Sequence, residues 1–308
     1  MKFKEVYEEW ADFKKNYVKK SSFSAYMLLT ENHLLPDFGE AENEITEHDV
    51  QKFVLKKLQG GLARKTVKDI LIVFKMILKY GKKNFLWEII PPFEDIIFPA
   101  DNERHTIDVL SVSDFKKAVA YTKENFTFRN LGVLLTLSTG IRIGEVCGLK
   151  WNDIDLERGT LTVRRTVQRI YIKGESGKRY TELIIDTPKT KSSNREIPLS
   201  HDLIKIFKSL EKIVNPEFYV LTNAEKTTEP RTYRSYYKEL MRKMGLPVIK
   251  FHSLRHTFAT QCIAAKIDVK TVSVLLGHSN ISTTFSLYVH PDMGQKKNAI
   301  NQLFKAMK

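Results

Sequence analysis

Between Phe251 and His290 the chain reads FHSLRHTFATQCIAAKIDVKTVSVLLGHSNISTTFSLYVH, and His252, Arg255, His278 and Tyr288 stand in this one stretch. Chemistry at a phosphate wants such a set. A guanidinium offers a planar fork that matches non-bridging phosphate oxygens and stays charged at any working pH. Imidazoles hydrogen-bond and move protons near neutrality. His252 and Arg255 are three positions apart, so a helix makes them surface neighbours. Leu254, Phe258 and Ile263 supply the apolar stripe that anchors that helix.

The elements that must hold these groups are legible nearby. Asp268 is placed as an N-cap before Val269, Val272, Leu275 and Leu276, and Gly277 stops that helix directly before His278. Ser282 is expected to cap a third short helix, with Phe285 packing on Ile281 and Tyr288 riding on the element. A tyrosine so carried is delivered or withdrawn as a unit. Upstream, the apolar run Leu131 to Leu137 ends at TGIRIGEV, which puts Thr139, Gly140 and Arg142 at a tight break before helix resumes at Glu145. Glu145 is expected to hold Arg142 or a neighbouring backbone group. Alone, an arginine beside a glycine turn is a surface ion-pairing residue.

The arrangement H-x-x-R, then L-G-H, then a tyrosine near the C-terminus, with the box around Arg142, resembles the tyrosine recombinases, the phage-integrase type of site-specific DNA recombinase. His278 and Tyr288 are ten positions apart, in line with integrases of conjugative transposons and one more than in Xer and lambda-type members. The resemblance implies a catalytic set of Arg142, Lys189, His252, Arg255, His278 and Tyr288. Lys189 lies in the turn PKTKSSN, where Lys191 could substitute for it and is otherwise a candidate DNA contact.

By that resemblance Tyr288 attacks phosphorus, leaving a 3′-phosphotyrosine and a free 5′-hydroxyl. A phenol with a pKa of about 10 needs help. His252 is the candidate to accept its proton, His278 to hydrogen-bond a phosphate oxygen, and Lys189 to protonate the departing oxygen. The two arginines stand where many nucleases use a metal, and the covalent link conserves bond energy, so no cofactor, metal or ATP is implied. The implied partner is double-stranded DNA with inverted-repeat core sites, bound by a homotetramer. The alternatives are a type IB topoisomerase-like strand cleavage and a non-catalytic DNA-binding protein of the same fold.

A zinc site was the competing reading of the cluster, since His252 and His256 are four apart on a helix. Ser253 stands where a metalloprotease has its glutamate, and no cysteine pair or carboxylate cluster completes a site. No metal is expected.

With 308 residues, 42% hydrophobic and 28% charged, the composition is that of a globular protein with room for two cores. Cys147 and Cys262 sit in apolar helical patterns and read as buried thiols of a reducing compartment. The charged N-terminus, MKFKEVYEEW, lacks a signal-peptide core, and no apolar run reaches membrane-spanning length, so a cytoplasmic protein without membrane contact is expected. Charge is uneven. Residues 1–105 hold 17 Lys and Arg against 17 Asp and Glu, so the whole net charge of +14 falls in the half that carries the motifs. A polyanion partner calls for such an excess.

The expected fold is mainly α with a small antiparallel sheet. Residues 1–87 read as a four-helix, SAM-like core-binding domain, with helices over Phe3 to Tyr17, Phe23 to Leu35, Thr46 to Gly60, and Ala63 to a stop at Gly81. Arg64, Lys65 and Lys68 on the polar side of the last of these are candidate DNA contacts. Residues 88–106, with Pro91, Pro92 and Pro99, read as a linker, and 107–291 as the catalytic domain. There the strands are expected over 160–172, 182–187 and 195–199. Arg231 and Arg234 near a helix start are further candidate DNA contacts. Residues 292–308 carry Ile300, Leu303, Phe304 and Met307 and read as a tail for docking on a neighbouring subunit.

Overall fold

Helix α1 (Phe3–Lys14) and the long helix that follows later in the chain are amphipathic at a period of 3.6, and that pattern fixes the first of two cores. The computed structural model describes residues 1–307 except 43, 86, 88–92, 94, 101–106, 175–176, 189–193 and 289–292. The chain divides into two compact units, Met1–Arg104 with Ile170–Glu182, and His105–Arg169 with Leu183–Lys308.

In the first unit α1 is followed by α2 (Lys20–Leu29), which runs through a π-helical turn at Thr30–Leu34 into α3 (Leu35–Phe38). Then come α4 (Glu47–Gln59) and α5 (Arg64–Phe85). Thr46 and Asp49 close a capping box at the start of α4, with N–H to oxygen distances of 3.2 and 3.0 Å. Phe3, Trp10, Phe53, Val67, Ile70, Phe74 and Ile77 fill the core, and Phe3 meets Phe74 edge to face at 5.3 Å. Two expected boundaries differ. The first helix ends at Lys14 rather than Tyr17, and α5 runs past Gly81 to Phe85. Gly81 is buried, and a Cβ there would stand 2.9 Å from Val6 Cγ1, so it is a point of close helix approach and not a stop.

The second unit opens with α6 (Val112–Glu124) and α7 (Phe128–Thr139), capped by Ser111 and Thr127 at 3.1 and 3.0 Å. From Asn130 to Thr139 every residue of α7 except Ser138 is buried, so this helix forms the axis of the larger core. After α8 (Ile143–Gly148) come β1 (Ile154–Asp155), β2 (Thr160–Val163), β3 (Thr166–Lys173), β4 (Arg179–Asp186) and β5 (Arg195–Pro198). β1, β2 and β5 form one antiparallel sheet, with Leu161 opposite Ile197 and Val163 opposite Arg195, and β3 pairs with β4 in another. The single strand expected over 160–172 is therefore two. It breaks at Arg164 and Arg165, whose guanidiniums turn to the buried Asp153 carboxylate, Arg165 in two bonds of 2.8 and 3.1 Å.

Tyr171 donates its N–H to Ser24 Oγ at 2.9 Å and Arg179 pairs with Glu31 at 2.6 Å, so the end of the β3–β4 hairpin packs within the first unit.

The helices α9 (His201–Leu210), α10 (Pro230–Lys243), α11 (Phe251–Ala264), α12 (Val269–Leu276), α13 (Ile281–Tyr288) and α14 (Met293–Ala306) complete the chain. Tyr233 and Tyr237 of α10 are core residues packed on Phe251. Asp268 caps α12 as expected, at 2.9 Å from Thr271 N. Ser282 does not cap α13: Asn280 does, its Oδ1 accepting the Ser282 N–H at 2.8 Å. Ile281 and Phe285 are both exposed. No helix among the described residues is long and apolar enough to cross a membrane.

Candidate active site

Gly140 ends α7 in the left-handed conformation, φ 67°, and the reversed chain presents Arg142 as the N-cap of α8. Glu145, one turn on, reaches back. Its Oε2 accepts the Arg142 N–H at 2.8 Å and its Oε1 the Arg142 Nη1 at 2.8 Å, so it holds both the side chain and the backbone group. The same buried carboxylate accepts Arg195 Nη1 and Nη2 at 3.2 and 3.0 Å. Arg195 comes from β5 and also donates Nε to the Leu275 carbonyl at 2.7 Å. Burial pushes the Glu145 carboxyl up, but Arg195 and Arg142 outweigh it and hold the group below its ordinary range.

Arg255, on the second turn of α11, is 1% exposed. Its Nη1 donates to the Gly140 carbonyl at 2.8 Å and its Nη2 to the Leu276 carbonyl at 2.6 Å. Both carbonyls belong to helix C-termini, where unsatisfied oxygens and the negative end of the macrodipole favour a cation. Burial and then the neighbouring Arg142 and Arg195 lower its pKa to about 9, which still leaves it charged at neutral pH. Three guanidiniums gather near one buried carboxylate, which bonds two of them, Arg142 and Arg195. The surplus positive charge is what an anionic oxygen would neutralise.

Two histidines line this cluster. Gly277, with φ 66°, closes α12, and the His278 N–H returns to the Ser273 carbonyl at 3.1 Å, which fixes the backbone that carries the ring. Thr284 Oγ1 lies 2.8 Å from His278 Nδ1 and sets the ring's orientation. Burial, then Arg255, Arg142 and Arg195, lower His278 to about 4. His252 has an exposed edge, yet the protein around it and then His256, Arg255 and Arg142 also lower it to about 4. Both rings are neutral near pH 7 and become more basic beside bound phosphate.

Tyr288 is the last residue of α13 and is 9% exposed, packed with Ala259, Cys262, Val272 and Leu276. Burial pushes its phenol up to about 12, with Arg255 pulling the other way. Its hydroxyl is hydrogen-bonded to His256 Nδ1. The tyrosine's hydrogen-bond partner in this structure is thus one turn further along α11 than His252, the residue expected to take its proton.

Arg142, His252, Arg255, His278 and Tyr288 are brought together by α8, α11, the end of α12 and α13. Lys189 and Lys191 lie outside the described residues. The candidate DNA contacts are placed elsewhere. Arg64 donates to the Pro99 carbonyl at 2.6 Å and covers the Phe98 ring at 5.3 Å, as does Lys68, and Lys65 pairs with Asp69 at 3.2 Å. Arg231 and Arg234 are exposed on the first two turns of α10. Arg195 and His256 were missed as site residues. A turn of helix separating His256 from His252 was the available signal for the second, and nothing local marks Arg195. Among the described residues no group of three His, Cys, Asp or Glu gathers as metal ligands would.

A tyrosine docked beside paired arginines and histidines, in a helical unit with small antiparallel sheets, is the arrangement that the resemblance to tyrosine recombinases implies. The Phage integrase family profile matches residues 108–295, and that of the phage integrase N-terminal SAM-like domain matches residues 2–58. The chain belongs to this family and is a tyrosine-type site-specific DNA recombinase. It is 31% identical over 310 residues to a XerC-like tyrosine recombinase of Caldanaerobacter subterraneus subsp. tengcongensis, covering 94% of this chain and 75% of that protein. It is 30% identical over 279 residues to the transposase of transposon Tn916 from Enterococcus faecalis, covering 80% of this chain and 64% of that protein. In fold it is similar to the Tn1549 transposon integrase, solved with transposon right end DNA: the TM-score is 0.76 at 19% identity, over 98% of this chain and 99% of that one.

Proposed function

We propose that the protein cleaves and rejoins DNA at specific sites through a 3′-phosphotyrosyl link to Tyr288, with neither metal nor ATP. One observation carries the reading: Tyr288 shares a core cluster with Leu276, whose carbonyl accepts from Arg255, and is hydrogen-bonded to His256, the residue after Arg255 on α11, so nucleophile and phosphate cradle share one site. Arg142 and Arg255 would bind the non-bridging oxygens as charge builds on them, and His252 and His278 would add hydrogen bonds at the rim. Lys189, or Lys191, would give its proton to the departing 5′ oxygen. The phosphotyrosine keeps the bond energy of the broken linkage, so a 5′-hydroxyl from another strand can reverse the step without a high-energy cofactor.

The substrate in this reading is double-stranded DNA with inverted-repeat core sites. The solved Tn1549 integrase is itself a DNA complex, and the positive excess of residues 106–308 suits the same partner. Residues 1–87 and 107–291 would clamp the duplex as core-binding and catalytic domains, with Arg64, Lys65, Lys68, Arg231 and Arg234 on the backbone. α14, whose Ile300, Leu303, Phe304 and Met307 are exposed, would dock on a neighbour in a tetramer.

A nicked suicide duplex carrying the core site tests this. The wild-type chain should become covalently attached at a 3′ end, in the presence of EDTA and without ATP, and Tyr288→Phe should bind without linking. Binding by both with linkage by neither would make the protein a non-catalytic DNA-binding member of the family. Relaxation of supercoiled DNA with no strand exchange would make it topoisomerase-like.

A further inference from the structure

The phosphotyrosyl reading leaves one ionisable group of the site without a task. That group is His256, whose Nδ1 is hydrogen-bonded to the Tyr288 hydroxyl. The two rings lie 5.6 Å apart at 50°, and the His252 ring packs edge to face on the His256 ring at 4.7 Å, so the imidazole is held from both sides. Ala259, Cys262, Val272 and Leu276 form the floor beneath the tyrosine.

We infer that His256 is the base that takes the phenolic proton of Tyr288 when the tyrosine attacks phosphorus. This rests on the phosphotyrosyl reading and assigns one step within it. In the tautomer with the proton on Nε2, Nδ1 presents a lone pair to the tyrosine. As the Tyr288 Oη–P bond forms, the Oη–H bond breaks and its proton moves to Nδ1, leaving an imidazolium. The 5′ oxygen leaves with a proton from the separate acid. On rejoining, the 5′-hydroxyl returns its proton to the separate acid as it bonds to phosphorus, the Tyr288 Oη–P bond breaks, and the departing phenolate recovers its proton from Nδ1, so all three groups end as they began.

The surroundings suit a base of this kind. Among the described residues, Arg255 on α11, Tyr288 on α13 and His252 are ionisable groups beside His256, and α12 contributes Val272 and Leu276 to the floor. Burial, then Arg255, lower the imidazole from its ordinary value, so it is neutral and ready to accept at neutral pH. As phosphate binds, its negative charge offsets Arg255 and raises the basicity of the ring at the moment it is needed.

The test is single-turnover cleavage of the nicked suicide duplex by the full chain. His256→Asn keeps a hydrogen-bonding amide near the position of Nδ1 but cannot carry the proton, so a role in mere positioning would survive it. The expected result is cleavage slower by about 10²-fold or more, with DNA binding retained in gel shifts. A fluorinated tyrosine of lower phenol pKa at position 288 should recover much of that loss, because it needs less help to ionise. His256→Ala, judged by the same rescue, is the second variant in case the first does not fold. Wild-type rates in His256→Asn, or a deficit that fluorination leaves untouched in both variants, would overturn the assignment while leaving the nucleophile in place. Failure of the wild-type chain to link at all would remove the reading and the assignment together.

Discussion

Glu145 grips Arg195 through both carboxylate oxygens, at 3.2 and 3.0 Å, although the two residues are fifty positions apart in the chain. The same carboxylate holds Arg142 by its guanidinium and by its backbone N–H. Removing one partner of a buried ion pair leaves uncompensated charge inside, which typically costs about 3–5 kcal/mol. Glu145→Ala should therefore lower the stability of the full chain by that order in urea unfolding. Loss of less than about 1 kcal/mol would show that water reaches and relieves the arginines.

Arg255→Lys separates charge from geometry. An ammonium keeps the positive charge but cannot span the Gly140 and Leu276 carbonyls as the guanidinium fork does. Cleavage of the suicide duplex should fall by about 10²- to 10³-fold, the usual effect of losing one preorganised donor. Gel-shift affinity for the duplex should change little. Equal losses in both measurements would mean that Arg255 serves binding and not the reaction.

Gly140 is a backbone requirement of the same arginine. Its φ is 67°, and a Cβ would stand 2.6 Å from Phe258 Cδ1 and 2.8 Å from Leu276 Cδ2. Gly140→Ala should destabilise the chain by at least about 1 kcal/mol and should impair cleavage more than Gly277→Asn, because asparagine tolerates the left-handed conformation. Stability and cleavage rates measured on both variants decide it.

Acid should weaken the second unit in a defined window. His252 and His278 are lowered to about 4 in the folded chain, against an ordinary value near 6.5. The unfolded state therefore binds more protons between those values, and stability falls as pH drops from about 6.5 towards 4. His278→Gln should flatten the slope of thermal midpoint against pH over that range. An unchanged slope would mean that the ring is already solvated.

Much of this site was readable before any coordinates because its parts sit on local signals. The H-x-x-R pair needs only a helix, His278 needs only the glycine stop before it, and the Arg142 to Glu145 bond is an i, i+3 relation. Asp268 behaves as a cap for the same reason. What escaped depends on contacts between distant segments. Arg195 is a site residue only because β5 pairs with β2 and lies against the end of α12. Gly81 looks like a helix stop until α1 packs on α5 and requires a residue without a side chain. The break at Arg164 and Arg165 depends on Asp153, which periodicity cannot see. His256 was visible but misjudged, since helical spacing from His252 says nothing about a tyrosine 32 positions away.

The last helix offers a test of assembly that leaves the site untouched. α14 exposes Ile300, Leu303, Phe304 and Met307 at 55, 55, 62 and 73%. A short helix with that much apolar surface in water gains little from its own hydrogen bonds and much from burial on another surface. Ending the chain at 291 should leave the unfolding transition of the remaining residues and the first shifted DNA band unchanged, since the two cores lie upstream. Cooperative formation of higher complexes in the same gel shifts should disappear. If those complexes form at wild-type concentrations without the helix, subunit docking must rest on another face.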